Sequence, residues 1–428
     1  MDIQYIHSLF LKCNSVTTDT RKIGPNSLFV ALKGHNFDAN VFAEEAISKG
    51  ASYVIIDNKE YYLDQRTILV EDSLKALQEL AKFHRYYLKL PIIALTGSNG
   101  KTTTKELIHA VLSKKFKTTA TIGNFNNHIG VPLTLLSFTS ETEIGIVEMG
   151  ANHKKEIEFL CELASPDYGY ITNFGKAHLE GFGGIQGVIE GKSEMYHFLS
   201  DNDKLVFLNL DDPIQVGRTS LLKSYSFGVN NSNADVNIIT VQANPFVKVQ
   251  LFNFEISTHL IGLYNANNIN AALTIGKYFN VEDADIKDAL ESFIPENNRS
   301  QLLTKGTNKI ILDAYNANPS SMVVAIENFL QLEDSSKILI LGDMFELGDE
   351  SLLEHAAIVD LLFKEHNVSC YFVGKDFYTC KKNKFGFNFF NSFDDLVEFL
   401  KDLKIENATF LIKGSRGMAL ERTLNFIN

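Results

Sequence analysis

The stretch "PIIALTGSNGKTTTKELIHAVL", residues 91–112, runs from an apolar segment through a glycine-rich turn into an amphipathic one. That order reads as a buried strand opening directly into a helix. A phosphate loop asks for Gly, four residues, then Gly-Lys-Ser/Thr. Gly100, Lys101 and Thr102 supply the end, but Leu95 stands where the first glycine belongs. The turn that remains is Gly97, Ser98, Asn99, Gly100, Lys101, Thr102 and Thr103. It still offers backbone N–H groups at a helix N-terminus, a lysine for the β and γ oxygens of a nucleotide, and a hydroxyl for magnesium. The plainer alternative is a capped helix start that happens to spell Gly-Lys-Thr.

A nucleotide site of this kind needs a strand-end carboxylate for its cation. "IGIVEMG" carries Glu148 near its end. A strand-end Glu is also often just a solvated edge.

At 428 residues the chain exceeds one ordinary core, so two or three domains are expected. "PIIAL" (91–95), "IGIVEM" (144–149), "YGYIT" (168–172) and "KLVFLN" (204–209) alternate with helical stretches and predict a mostly parallel sheet. Period-two patterning over 234–259 predicts an antiparallel excursion within that domain. A second series begins near 308, with "KIILDA", "KILILG" (337–342), "SCYFVG" (369–374) and "TFLIKG" (409–414). Helices are expected after Pro319, over 351–365 and 392–403, and at the close. This describes a smaller doubly wound domain, with "FIPENNRSQ" (293–301) as the linker to it. The expected fold class is α/β in three domains: a small mixed α/β unit at 1–89, a central P-loop ATPase-like parallel sheet with its antiparallel excursion at 90–296, and a Rossmann-like unit at 297–428.

A hydrophobic share of 45% and a charged share of 21% suit a globular protein. No run reaches the roughly 18 apolar residues of a membrane span, and the N-terminus lacks a basic n-region and cleavage site, so a cytoplasmic protein is expected. Cys13, Cys161, Cys370 and Cys380 have no CxxC spacing and read as core thiols rather than disulfides or a zinc site. A net charge of -12 argues against nucleic acid and requires a local basic cluster for any anionic substrate. Nothing looks like a coiled coil, and a monomer is expected.

"TGSNGKTTT" followed by "VEMGANH" resembles the ATP-dependent Mur ligases and their folylpolyglutamate synthetase relatives, over nearly the whole chain. "LDAYNANPSSM", "LGDMFELGDES" and "LIKGSRGMALE" narrow the resemblance to the MurF type, which joins D-alanyl-D-alanine to a UDP-N-acetylmuramoyl-tripeptide. Glu346, Leu347 and Gly348 close the core of the second segment, His355 follows on the next helix, and Ser415 lies in the third.

The resemblance implies ATP and Mg2+ as cofactors and assigns roles by position. Asp19, Thr20 and Arg21 fall in the uridine-nucleotide motif, and Asn124, Asn126 and Asn127 in the substrate segment. Lys101 would hold the β and γ phosphates, with Thr102 and Glu148 on magnesium and His178 on a second ion. Lys192 matches a lysine carbamylated in the family, since an ammonium cannot ligate a cation. Asn265 and Asn268 fall near the adenine, with Tyr264 where the family has His. Arg299 would reach the γ-phosphate on domain closure and Asp313 a ribose hydroxyl. Tyr315, Asn316 and Asn318 would line the amine pocket, while Lys413 and Arg416 answer the dipeptide carboxylate. Without the resemblance, Lys192 reads as a solvated helix lysine, His178 as a loop or core histidine, and Lys413 and Arg416 as surface charge.

Two departures stand out: Leu312 replaces the first of a paired Asp-Asp, and Asn298 replaces a Gly before Arg299. Another Mur ligase or a folylpolyglutamate synthetase remains an alternative. From a different class, a regulatory P-loop NTPase or kinase would need a base-reading element such as Asn-Lys-x-Asp, which is absent. A dead nucleotide-binding scaffold would be expected to have lost Lys101 or Glu148. The third residue of the tripeptide is open between lysine and meso-diaminopimelate.

Overall fold

Strands covered on both faces need continuous apolar runs, and Ile92, Ile93, Ala94 and Leu95 are all fully buried. They belong to a central sheet of seven parallel strands, in the order Val236–Ile238, Lys223–Val229, Leu205–Asn209, Tyr168–Ile171, Ile92–Thr96, Ile144–Glu148, Thr118–Ala120. From Ile92–Thr96 the chain crosses to the edge strand, returns to Ile144–Glu148, and then moves to the other side. At such a reversal a crevice opens outside the carboxyl ends of the strands. The computed structural model describes residues 2–296, 298–334 and 336–427.

The helix Lys101–Leu112 lies under that crevice. Leu107, Ile108, Val111 and Leu112, at helical spacing, share a core with Ile269 and Leu273 of the helix Ala266–Tyr278. Each buried side chain contributes about 2 kcal/mol, which fixes the helix N-terminus below the loop.

The antiparallel excursion expected over 234–259 is corrected at its start. Val236–Ile238 pairs parallel with Lys223–Val229, and its two buried side chains complete the central core. The antiparallel sheet is Thr240–Ala243, Phe246–Gln250 and Glu255–Ile261, where buried and exposed positions alternate as one-sided packing demands.

The C-terminal sheet has the order Gln301–Lys305, Asn308–Asp313, Thr409–Lys413, Lys337–Gly342, Val368–Val373, Phe387–Phe390, antiparallel only at the first pair. Its first strand starts at the end of the expected linker, and its last was not foreseen. The expected closing helix is instead two 3-10 turns, Arg416–Met418 and Leu420–Asn425, interrupted by Ala419 at φ 48°.

Four parallel strands, Ser15–Thr17, Ser27–Val30, Ala51–Ile56 and Thr67–Leu69, build the N-terminal sheet. The helix Ser73–Leu88 leads from it to the central strand Ile92–Thr96. Arg85 on that helix is buried and donates to Ala164 O (2.9 Å), Ser165 O (3.0 Å) and Asp167 (2.8 Å), clamping the two units together. The expected boundaries at Met1, Asn297 and Asn428 fall outside the described residues. Among the described residues no helix is long and apolar enough to cross a membrane, and all four cysteines are free.

Candidate active site

Leu95 explains the missing glycine. It is still inside the strand, fully buried and in register with Glu148, so the turn has not begun there. The turn needs its glycine two residues later: Gly97 has φ 139°, and a Cβ there would lie 2.0 Å from Thr172 Oγ1. Thr172 Oγ1 donates to Asn99 O (2.6 Å), Ser98 N–H to Asn173 O (3.0 Å), Asn99 N–H to Asn173 Oδ1 (3.1 Å), and Ser98 Oγ to Gly175 O (2.7 Å). The loop is therefore held from the neighbouring strand's end. Lys101 folds back, donating to Gly97 O (2.7 Å) and Ser98 O (3.3 Å). Burial pulls its pKa down; Glu148 opposes that shift and Arg299 adds to it.

A cleft of about 820 Å³ opens above the loop. Ser98, Asn99, Gly100, Lys101, Thr102, Thr103, Asn124, Asn126, Asn127, Glu148, His178, Asn265 and Asn268 line it from the central unit. Arg299, Asp313, Tyr315, Asn316, Asn318, Lys413 and Arg416 line it from the C-terminal one.

Glu148 is no solvated edge. It is buried, Oε1 accepts from Asn126 Nδ2 (2.8 Å), and Oε2 has no partner among the described residues. An orphaned buried carboxylate oxygen suits a cation, and Thr102 lies on the same wall. Among the described residues no three His, Cys, Asp or Glu side chains form a closed cage. Magnesium is commonly held by one or two carboxylates together with substrate phosphates and water, so this pair fits it.

Lys192 lies behind the cleft wall with its side chain enclosed. Nζ donates to Ala151 O (3.2 Å) and sits 5.1 Å from the Phe182 ring centre. Burial, then the charge of Lys101, pushes its pKa well below the usual lysine range, with Glu156 and Glu194 opposing. The solvated-lysine reading is overturned; a neutral buried amine is the form that can add carbon dioxide.

Asn268 accepts from Thr104 Oγ1 (3.0 Å) and donates to Asn265 Oδ1 (2.9 Å), and Asn265 donates to Ile261 O (2.8 Å). Tyr264 OH bonds Ser300 Oγ (2.6 Å), tying this turn to the residue after Arg299. Asn127 is engaged locally, its Oδ1 accepting from Ile129 and Gly130 N–H.

The Arg299 guanidinium lies 3.7 Å from the Tyr315 ring centre, and its buried Nε has no hydrogen-bond partner among the described residues. Both sequence departures have a physical reason. Asn298 takes φ 58°, a left-handed conformation that Asn tolerates nearly as Gly does. Leu312 points into the core with Ile310, Ile340 and Ile412, where a carboxylate would be stranded. Asp313 accepts from Ser300 N–H (3.1 Å).

Lys413 is not the surface charge of the plainer reading. It is buried, its ammonium pairs with Asp313 at 2.5 Å, and it lines the cleft. Arg416, more exposed, pairs with Glu421 at 3.1 Å. Asp19, Thr20 and Arg21 lie outside the cleft. Asp19 caps its own turn and pairs with Arg21, whose bonds hold its carboxyl down at about 2.

Sequence reading missed the contacts that join the two walls. Asn318 Nδ2 donates to Asn99 Oδ1 (2.6 Å), Lys176 N–H to Ser320 Oγ (2.6 Å), and Lys176 Nζ to Glu354 (2.5 Å). His178 meets the Glu346 carboxylate. His355 is fully buried; Met344 N–H donates to its Nε2 (2.9 Å), and its Nδ1–H donates to Ser351 O (2.7 Å), bracing the loop that carries Glu346. "TNFGKAH" and "LGDMFELG" were the available signals, but no local pattern says that they touch.

A phosphate loop, an orphaned carboxylate and an arginine from the connecting segment, shared between two α/β units, define a nucleotide-using enzyme of three-domain build. Family models match in three successive parts: "Mur ligase family, catalytic domain" over residues 12–85, "Mur ligase middle domain" over 95–276, and "Mur ligase, glutamate ligase domain" over 298–416. A UDP-N-acetylmuramoyl-tripeptide–D-alanyl-D-alanine ligase of Bacillus subtilis is 34% identical over 95% of this chain and 92% of its own length. The enzyme of that name from Escherichia coli is 33% identical over 96% and 93%. Among solved structures, MurF from Acinetobacter baumannii superposes with a TM-score of 0.87 at 28% identity, covering 99% of this chain and 97% of that one. MurF from Thermotoga maritima in complex with ADP gives 0.84 at 27%, covering 97% of each. The chain belongs to the Mur ligase family, and within it to the MurF type.

Proposed function

We propose that this protein is the ATP-dependent ligase that joins D-alanyl-D-alanine to UDP-N-acetylmuramoyl-tripeptide in peptidoglycan synthesis, releasing ADP and phosphate. The observation that carries the reading is the cleft, which sets Lys101, Glu148 and Arg299 around one space, together with full-length likeness to ligases of that name.

The chemistry follows from charge. A carboxylate oxygen of the tripeptide attacks the γ phosphorus of ATP, the bond to the β-phosphate oxygen breaks, and ADP leaves. The dipeptide amine then attacks the acyl carbon of the resulting acyl phosphate, loses its proton, and phosphate departs with the C–O electron pair. Both steps bring anions or a lone pair toward negative groups, so cations must be in place beforehand. Lys101 must release its loop carbonyls to reach the β and γ oxygens, and Arg299 approaches them from the opposite wall. Thr102 and Glu148 would hold magnesium, which neutralises the phosphate oxygens when bound. Carbamylated Lys192 and His178 would complete the cation sites. Closure of the walls excludes water from the acyl phosphate.

With Lys413 committed to Asp313, we assign the dipeptide carboxylate chiefly to Arg416, and to Asp313 the ribose. Asp19, Thr20 and Arg21 take the uridine end, outside the cleft. A monomer working in the cytoplasm, where ATP is supplied, completes the reading.

The test is phosphate release from ATP and magnesium with the tripeptide substrate, with and without D-alanyl-D-alanine, followed by mass spectrometry. Release requiring both substrates, with the UDP-linked pentapeptide as product, is expected. Tripeptides bearing lysine or meso-diaminopimelate third decide that position. No release with either would discard the reading.

A further inference from the structure

His178 and Glu346 come from different units. His178 begins the short helix Leu179–Phe182 of the central unit, and Glu346 lies in the C-terminal loop after Lys337–Gly342. Both take left-handed backbone, φ 54° and 62°, a conformation disfavoured for residues other than Gly, Asn and Asp. Two such residues facing each other mark a contact held by its surroundings.

Those surroundings are visible. Glu180 N–H donates to Glu346 O (3.4 Å), bringing the loops side by side. Gly348, at φ 56°, approaches so closely that a Cβ would sit 3.2 Å from Glu180 Cγ. Lys176 is tied to Ser320 and Glu354 on the C-terminal side. Within this frame a Glu346 carboxylate oxygen touches His178 Nδ1. The nitrogen is in contact by distance, while its N–H direction runs off the line to the oxygen, as hydrogen bonds in an unliganded site often do before they tighten.

We propose that Glu346 is a positioning residue: delivered by the C-terminal unit, it holds the proton of His178 on Nδ1 and so leaves the Nε2 lone pair free for a cation in the cleft. A histidine that binds a cation usually donates its other ring N–H to such a partner, which fixes tautomer and ring orientation. Here that partner comes from the C-terminal wall of the cleft, so His178 finds it only where the two units meet. The inference deepens the ligase reading and rests on it for the identity of the cation.

The experiment compares the full-length protein with Glu346→Ala, Glu346→Leu and Glu346→Asp. The readout independent of turnover is the 15N chemical-shift pattern of the His178 ring, assigned with His178→Asn. Wild type is expected to show the Nδ1–H tautomer, lost in Glu346→Ala. In turnover, Glu346→Ala is expected to raise the magnesium concentration for half-maximal rate by about 10–100-fold, with the KM for ATP-magnesium rising more than kcat falls and Glu346→Asp recovering part of the loss. An unchanged tautomer or an unchanged magnesium requirement in Glu346→Ala would overturn the proposal. If that variant does not fold, Glu346→Leu decides by the same readings, since leucine keeps the bulk but offers the ring no acceptor. Should wild type make no pentapeptide, the ligase reading fails, while the tautomer comparison still judges the role of Glu346.

Discussion

Asn318 reaches across the cleft and donates to Asn99 in the phosphate loop at 2.6 Å, while its own Oδ1 caps the helix Pro319–Leu330 by accepting from Ser321 N–H at 2.9 Å. One side chain thus both starts a helix and touches the nucleotide loop. Asn318→Ser keeps a good cap but cannot span the gap. We expect its unfolding free energy to stay within about 0.5 kcal/mol of wild type while phosphate release slows about tenfold, or about 1.4 kcal/mol. Asn318→Ala should lose about 1 kcal/mol of stability besides. Equal loss of rate and stability in the serine variant would mean that the cap alone matters.

Burial, then the neighbouring Lys101 charge, holds the Lys192 pKa well below the usual lysine range and so favours its uncharged form. Carbon dioxide adds only to the neutral amine, so the carbamate should persist at neutral pH and be lost as acid protonates it. Wild-type enzyme in 13C-bicarbonate should show a carbamate resonance absent from Lys192→Ala, and that variant should lose about 100-fold in rate. Activity indifferent to carbon dioxide depletion, with no such resonance, would contradict this.

Arg85 is the clamp between the N-terminal and central units. Removing it strands the carbonyls of Ala164 and Ser165, although Asp167 keeps Lys204 at 2.7 Å. Arg85→Ala should cost about 3 kcal/mol, the low end for a broken buried pair. Arg85→Lys should recover little, because an ammonium cannot reproduce the guanidinium fork. Urea unfolding of the two variants measures both.

His7 and His84 make a buried relay at that junction. With His84 Nε2–H donating to Phe138 O (2.9 Å), its Nδ1 is left to accept from His7 Nε2–H (3.0 Å). Burial, then the neighbouring His84, lowers the His7 pKa to about 4; burial also lowers that of His84, against its bond to Phe138. The unfolded chain therefore binds more protons below pH 6.5, so this contribution is complete above 6.5 and fades as pH falls toward 4. After allowance for screening at the shallow N-terminal helix it amounts to about 1–2 kcal/mol. His7→Phe should flatten the acid limb of a stability–pH curve; an unaltered limb would show that the pair does not titrate on unfolding.

The sheets and the phosphate loop were legible because burial on both faces and the strand-to-helix switch leave local patterns. Even the departures were informative: Leu95, Asn298 and Leu312 each obey the backbone or core at their own position. What stayed hidden was long-range partnership. Asn99 and Asn318 are 219 residues apart, and nothing in either neighbourhood encodes the other. The partner of Lys413 was hidden for the same reason: its segment announces a cation, but only the fold shows Asp313 beside it.

Among the described residues, none that lines the cleft belongs to the first 89. On the proposed reading, the uridine handle is gripped at Asp19 to Arg21 while the reacting carboxylate must end at the phosphate loop. With Arg85 bracing the span between them, the N-terminal unit works as a ruler. On that reading it would admit a substrate by the length of peptide that separates its two ends, and a stem one residue short or long would be turned away before any chemistry tested it.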